Sequence, residues 1–127
     1  MAERLRYSKS QSNAARGAFS GYTRDAYAVT LLQKVGAAGT IRGLVGKARD
    51  GSCVRFDGSA CDASGLGAKQ VSIGYSHAFS RRTDLYAFYT RVANDTRGSY
   101  QFANGAGLGA AAGSASIGYV LGMRHVF

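Results

Sequence analysis

Strict alternation of apolar with polar or small residues is the feature that most constrains the fold of this chain. The clearest stretch runs from Gln70 to Ser80. Because successive side chains of a β-strand point to opposite faces, this pattern predicts a strand with one apolar and one mostly polar face. The apolar face carries Val71, Ile73, Tyr75, His77 and Phe79.

The same pattern recurs in pairs of segments joined by short turns. Ser80–Thr83 predicts a turn to a strand from Asp84 to Val92, in which Leu85, Ala87 and Tyr89 oppose Tyr86, Phe88 and Thr90. Strands of about ten residues are long enough to cross a bilayer. The sequence predicts six antiparallel strands; the other four cover Ala2–Ser8, Ala26–Val35, Thr40–Arg49 (after a Gly36–Gly39 turn) and Ile117–Phe127.

Long connections alternate with these short turns. They run over Lys9–Arg24, Asp50–Leu66 and Asp95–Gly113 and contain Gly, Ser, Asn and Asp. Loops of this length are unusual in compact soluble domains. Short turns on one side and long loops on the other are typical of outer-membrane barrels. We therefore predict an all-β, single-domain segment spanning residues 1–127 of an antiparallel transmembrane barrel.

Composition and charge narrow the alternatives. The chain has 18 Gly, 8 Tyr, no Pro and no Trp, and a formal charge of +9. The basic residues are scattered without a block of five, which argues against a nucleic-acid partner. No run of 18 apolar residues is present, so a transmembrane helix is excluded on length. The first residues lack the apolar core of a signal peptide, so if the protein is exported its export signal is missing, a first indication of a fragment.

Two regions resemble a known family. Gly67–Tyr75 followed by Ser80–Thr90 resembles the penultimate hairpin of the general porins of β-proteobacteria, and Gly122–Phe127 resembles the ending of that family. The resemblance implies a sixteen-stranded barrel in the outer membrane of a Gram-negative bacterium, assembled as a homotrimer. This chain would supply the C-terminal third, about six strands.

The resemblance also implies a role for the terminus. A terminal aromatic residue preceded by apolar residues at alternate positions is similar to the signal that the outer-membrane assembly machinery recognises. The residues concerned are Tyr119, Leu121, Met123 and Phe127.

A porin catalyses no reaction and needs no cofactor. It holds open a water-filled channel for passive diffusion of small hydrophilic solutes, screened by the charges that line it. Arg42 and Arg124 alternate with apolar neighbours and are predicted to face the pore, whereas the faces of Lys34 and Arg91 are less clear. With a net charge of +9, we expect anionic or neutral solutes to be preferred.

Cysteine, histidine and glycine residues allow other interpretations. In an exported protein Cys53 and Cys61 predict a disulfide within the second long loop; in a cytosolic one they would be free or bind metal. His77 and His125 lack acidic or thiol partners at metal-ligand spacing, so we predict interfacial positions near the barrel rims rather than a metal site. Gly105–Gly109 resembles a dinucleotide fingerprint but leads into a strand, which indicates a loop.

The predicted strands do not determine how the barrel is closed. Six strands cannot enclose a channel, since about eight are the minimum. Either the chain is part of a longer porin, or several copies combine. Two alternatives are a structural β-assembly that self-associates without forming a channel, and an outer-membrane enzyme, for which no Ser/His/acid set is evident.

Overall fold

The described residues form a single antiparallel β-sheet of eight strands. The computed structural model describes residues 2–10, 20–100 and 111–127, with the side chains of Arg4 and Arg6 alone described in the first segment. The strands are β1 (Ala2–Ser10), β2 (Gly21–Val35), β3 (Gly39–Ala48), β4 (Ser52–Val54), β5 (Ala60–Cys61), β6 (Ala68–Ala78), β7 (Thr83–Asn94) and β8 (Ala115–His125). Among the described segments there is no helix long and apolar enough to cross a membrane.

The six long strands form a meander in chain order. β1 pairs with β2, β2 with β3, β3 with β6, β6 with β7 and β7 with β8, each antiparallel. The short strands β4 and β5 form a hairpin within the β3–β6 connection, and β4 pairs with the first residues of β2. The sheet curls into half of a barrel, which confirms the predicted all-β antiparallel class.

The tight turns lie at one end of the sheet. Gly36 has φ of +64°, a conformation that glycine adopts without steric cost, and it opens the β2–β3 turn. In the β6–β7 turn the amides of Phe79 and Ser80 both donate to the carbonyl oxygen of Thr83, at 2.9 and 3.2 Å. The other end of the sheet, the loop end, carries the long connections.

The strand limits differ from the sequence-based ones mainly at the loop end. β2 begins at Gly21 rather than Ala26, because its early residues pair with β1 on one side and with β4 on the other. β7 continues to Asn94 rather than ending at Val92. The hairpin β4–β5 was predicted as loop, because strands of three and two residues are too short to show alternation.

The sheet has little conventional core. Only Cys53, Ala63, Ala68 and Val92 are buried apolar residues in the described part of the chain. Glycine lets aromatic rings lie flat on the less exposed, concave face: a Cβ atom at Gly74 would come within 2.1 Å of the Phe88 ring, and one at Gly122 within 2.4 Å of the Tyr86 ring. The rings of Phe88 and Tyr86 therefore cover neighbouring strands instead of pointing away from the sheet.

Candidate functional site

The outer, convex face is a continuous apolar surface. Register places Leu31, Gly43, Ile73, Tyr89 and Tyr119 side by side in its middle row. Ile73 is 55% exposed and Leu121, one row nearer the turns, 84%. Soluble proteins rarely expose so broad an apolar surface, so this face requires a nonpolar environment.

Aromatic and histidine side chains border the apolar surface at the turn end. The ring centroids of His77 and Phe79 lie 5.1 Å apart, and those of His125 and Phe127 4.9 Å apart. His77 Nδ1 is 3.0 Å from the Tyr75 hydroxyl, and His125 Nδ1 is 2.8 Å from the Thr83 hydroxyl. No potential metal-binding group of His, Cys, Asp or Glu occurs among the described residues.

The inner, concave face is polar or small along most of its length. The hydroxyls of Ser72 on β6 and Thr90 on β7 are 2.6 Å apart, and the Gln70 amide donates to Ser72 at 3.3 Å. Hydroxyl and amide groups satisfied by one another make a wettable wall without a fixed net charge. The strand cations on this face therefore set its electrostatic character.

Three of the four basic residues considered for the pore share this inner face. Arg42 pairs in register with Leu32 and Gly74, and its guanidinium donates to the Ser76 hydroxyl at 3.2 Å. Lys34 lies opposite Thr40, one row nearer the turns. Arg124 lies opposite Asp84 on β7 and forms an ion pair with it.

Arg91 lies on the other side of the sheet. Its register partners are Val71 on β6 and Ile117 on β8, both on the outer apolar face. The sequence left the facing of Arg91 ambiguous, because one of its neighbours, Thr90, is polar and the other, Val92, is apolar. Both neighbours face inward. Val92 is inward and 6% exposed, and it shares a cavity with Tyr100, from the segment after β7. Arg91 is therefore excluded from the inner set.

The second long loop is fixed by covalent and polar contacts. Cys53 and Cys61, opposite each other in the β4–β5 hairpin, are joined by a disulfide with their Cα atoms 5.3 Å apart. Asp62 accepts a hydrogen bond from the Ser64 amide at 2.9 Å and forms an ion pair with Arg97 at 2.9 Å. Hydrogen bonds from Ser64, followed by the charge of Arg97, lower the pKa of Asp62. This network links the loop to the segment after β7.

The terminal residues predicted to guide assembly lie together on the outer face. Tyr119, Leu121 and Met123 project outward from β8, with exposures of 77%, 84% and 64%. Phe127 follows the end of the strand and is fully exposed. Gly105–Gly109, set aside as a loop in the sequence, lies outside the described residues.

Some contributors to the two faces were missed in the sequence. Asp84 was read only as the start of a strand, although it neutralises part of the charge of Arg124. Lys47 and Lys69 were overlooked, although β3–β6 pairing aligns them on the outer face. Alternation alone gives the facing of each lysine, since Lys47 continues the pattern of Val45 and Lys69 that of Val71. Their alignment could not be predicted, because a long loop joins β3 to β6.

A curled antiparallel sheet with an exposed apolar outer face and a polar inner face defines the class of transmembrane β-barrel proteins. The chain belongs to the Gram-negative porin family: the family model described as "Gram-negative porin" matches residues 5–99. The match extends from β1 through β7 and stops before the final strand. No curated protein and no solved structure matches the chain.

Membership of this family implies an outer-membrane location and a general porin role, and the porins are a family of channel proteins, not of enzymes. The apolar outer face is accordingly the surface that meets lipid.

Proposed function

We propose that the chain forms part of the wall of a water-filled channel through which small hydrophilic solutes diffuse passively, with a preference for anions. The observation that carries the proposal is the charge of the inner face. Its strands present three cations from mid-height to the turn end, Lys34, Arg42 and Arg124, and Arg24 at the loop end, against Asp84 as the one acidic strand side chain described there. Cations aimed into a narrow aqueous lumen raise the local concentration of anions and lower that of cations.

The three cations do not contribute equally. Asp84 offsets the charge of Arg124, whereas Arg42 contacts the uncharged Ser76 hydroxyl. Lys34 has no acidic group within 4 Å in the described part of the chain. Of these three, Arg42 and Lys34 therefore supply most of the uncompensated positive charge.

We further propose that the six long strands are the C-terminal third of a sixteen-stranded barrel that assembles as a homotrimer. The meander supports this, since β1 and β8 run antiparallel to each other and each has one edge that no other described strand pairs with. Open edges are not tolerated in hydrocarbon, so further strands must complete the wall.

Conductance in planar bilayers tests the channel directly. The complete porin containing this segment should give stepwise, ohmic currents in salt solution. The alternative is a β-assembly that inserts and associates without a pore, for which the unpaired edges are the motivating feature. Membranes that contain folded protein but remain insulating would favour that alternative and contradict the channel.

We also propose that the terminal strand is the assembly signal, with Tyr119, Leu121, Met123 and Phe127 as its recognised face. Deleting Phe127 from the complete porin should lower the amount of folded barrel in the outer membrane, while the channels that do insert conduct normally. Val126→Thr is the matched control, because Val126 alternates with the outward residues of the strand. Equal yields for the deletion and the parent protein would contradict this role.

A further inference from the structure

A row of basic side chains crosses the outer face at the loop end of the sheet. Arg4 on β1 pairs in register with Tyr27 on β2, Tyr27 with Lys47 on β3, and Lys47 with Lys69 on β6. These four residues therefore lie side by side on four adjacent strands. Arg6 lies one row nearer the loops and Arg91 one row nearer the apolar surface. We call Arg4, Arg6, Lys47, Lys69 and Arg91 the outer basic row.

The outer basic row lies where the apolar surface ends. Lys69 and Phe79, which belong to opposite borders, are ten positions apart in the chain. At about 3.3 Å per residue this separation is about 33 Å along the strand. A strand tilt of roughly 40° reduces it to about 25 Å across the membrane, the height of the apolar band in outer-membrane barrels.

The two borders differ in chemistry. The turn end of the outer face has aromatic and histidine side chains, and none of its described strand residues from the last two rows is Lys or Arg. The cations at that end, Arg81 and Arg82, lie in the β6–β7 turn beyond the strands. The loop end has five cations. Solvation alone would favour charged residues equally at both borders, so the asymmetry indicates a partner on the loop side.

Most of the charge in the row is not neutralised by the protein. Arg4 and Arg6 share one carboxylate, that of Asp25, each at 2.9 Å. Within the described ranges, Lys47, Lys69 and Arg91 have no acidic group within 4 Å, and all three are exposed. Asp50 and Asp95 lie near Gly67, further into the loops, and pair with none of the three.

A cation on the lipid face is tolerated near the interface, where its long stem covers apolar surface and its head reaches the polar layer. At that depth the abundant anionic groups are the phosphates of lipid headgroups, which bind lysine as a point charge and arginine through paired hydrogen bonds. We propose that the outer basic row binds the phosphate-bearing headgroups of membrane lipids on the loop side. The inference rests on the membrane-spanning orientation of the proposed porin.

The chain offers a clean way to test this, because it contains no tryptophan. Tyr27→Trp places the one tryptophan of this segment within the row, and any tryptophan elsewhere in the complete porin is replaced by phenylalanine. The complete porin carrying this substitution is reconstituted in vesicles of phosphatidylcholine mixed with phosphatidylglycerol, with either lipid brominated high on its acyl chains. Quenching then reports the relative association of each lipid with the row.

We expect the brominated phosphatidylglycerol to associate about fivefold more strongly than phosphatidylcholine. This factor corresponds to the attraction between an anionic headgroup and roughly one basic residue. Replacing Lys47, Lys69 and Arg91 together by Gln should bring the two association constants to equality. Exchanging lysine for arginine and arginine for lysine at these three positions should preserve the preference for phosphatidylglycerol. The matched control replaces Lys34, Arg42 and Arg124 by Gln, which removes the same charge from the inner face and should leave lipid preference intact.

Equal quenching by the two lipids in the parent protein, or an unchanged preference in the outer triple variant, would overturn the proposal. So would loss of preference in both triple variants, since net charge alone would then explain it. If the outer triple variant does not insert, Lys69→Gln alone is tested in its place, and it should reduce the preference for phosphatidylglycerol by a smaller amount. Inorganic phosphate that abolishes the preference beyond the effect of equal ionic strength would identify a free-anion site instead of a lipid site. Conductance of the same samples separates these failures from failure of the channel itself.

Discussion

Arg42 and Arg91 are the same residue type on two strands of one sheet, yet they lie in opposite environments. Arg42 faces inward beside the Ser76 hydroxyl, and Arg91 faces outward between Val71 and Ile117. The inward position places a charge in the aqueous lumen of the proposed channel. The outward position is tolerable because it lies near the loop-end border of the apolar surface.

The comparison shows that the two faces follow different rules. The outer face is apolar between its borders except at Gln33, so the facing of one apolar residue predicts that of the residues two positions away. The inner face mixes Ser, Thr and Gly with Phe88, Tyr86 and Val92, which lie flat or under the segment after β7. Apolar character therefore does not by itself assign a side chain to the outer face.

The largest expected difference between the faces comes from placing a charge at mid-depth. Ile73→Arg on the outer face should destabilise the folded barrel by roughly 2–4 kcal/mol, because the guanidinium enters hydrocarbon. Val120→Arg, an inward change of similar size, should cost less than about 1 kcal/mol because the lumen is wet. Urea unfolding in lipid vesicles measures both. Equal losses would show that the two faces meet the same environment.

A smaller difference is expected from added methyl groups. Gly74→Ala would force the Phe88 ring off the inner wall and should cost about 1–3 kcal/mol. Gly43→Ala on the outer face is the control, because its nearest neighbour, the Leu31 Cβ atom, would be 3.9 Å away. Unfolding midpoints should separate the two variants. If Gly74→Ala is as stable as Gly43→Ala, the packing of Phe88 against β6 does not support the wall.

Sequence alone predicted the six long strands and the inward facing of Arg42 and Arg124, because both arginines alternate with residues of the apolar surface. It left the facing of Arg91 unassigned, because its neighbour Val92 is apolar and yet faces inward. Val92 can do so because the segment containing Tyr100 covers it, a tertiary contact that the sequence does not show. The start of β2 at Gly21 was missed because pairing with β1 and β4, not local alternation, extends it. The Asp84–Arg124 pair needed the register of β7 and β8, which a long intervening loop conceals.

Breaking the disulfide should affect neither face. Chain entropy sets about 2.5 kcal/mol as the limit for a crosslink of this loop length. Because β4 and β5 lie outside the meander of long strands, we expect Cys53→Ser with Cys61→Ser to lower the sheet's unfolding free energy by less than this. Proteolysis and hydrogen exchange should instead increase between the two cysteine positions. A midpoint shift as large as that of Ile73→Arg would show that the loop and the sheet unfold together.

Ion selectivity tests the central claim most directly, namely that the inner cations line the channel. In the complete porin, Arg42→Glu combined with Arg124→Glu should shift the zero-current potential in a salt gradient toward cation preference, and the shift should shrink as salt concentration rises. Lys69→Glu with Arg91→Glu makes the same change in charge on the outer face and should leave the potential near that of the parent. Unchanged selectivity in the inner pair, or an equal shift in the outer pair, would contradict the assignment of the two faces.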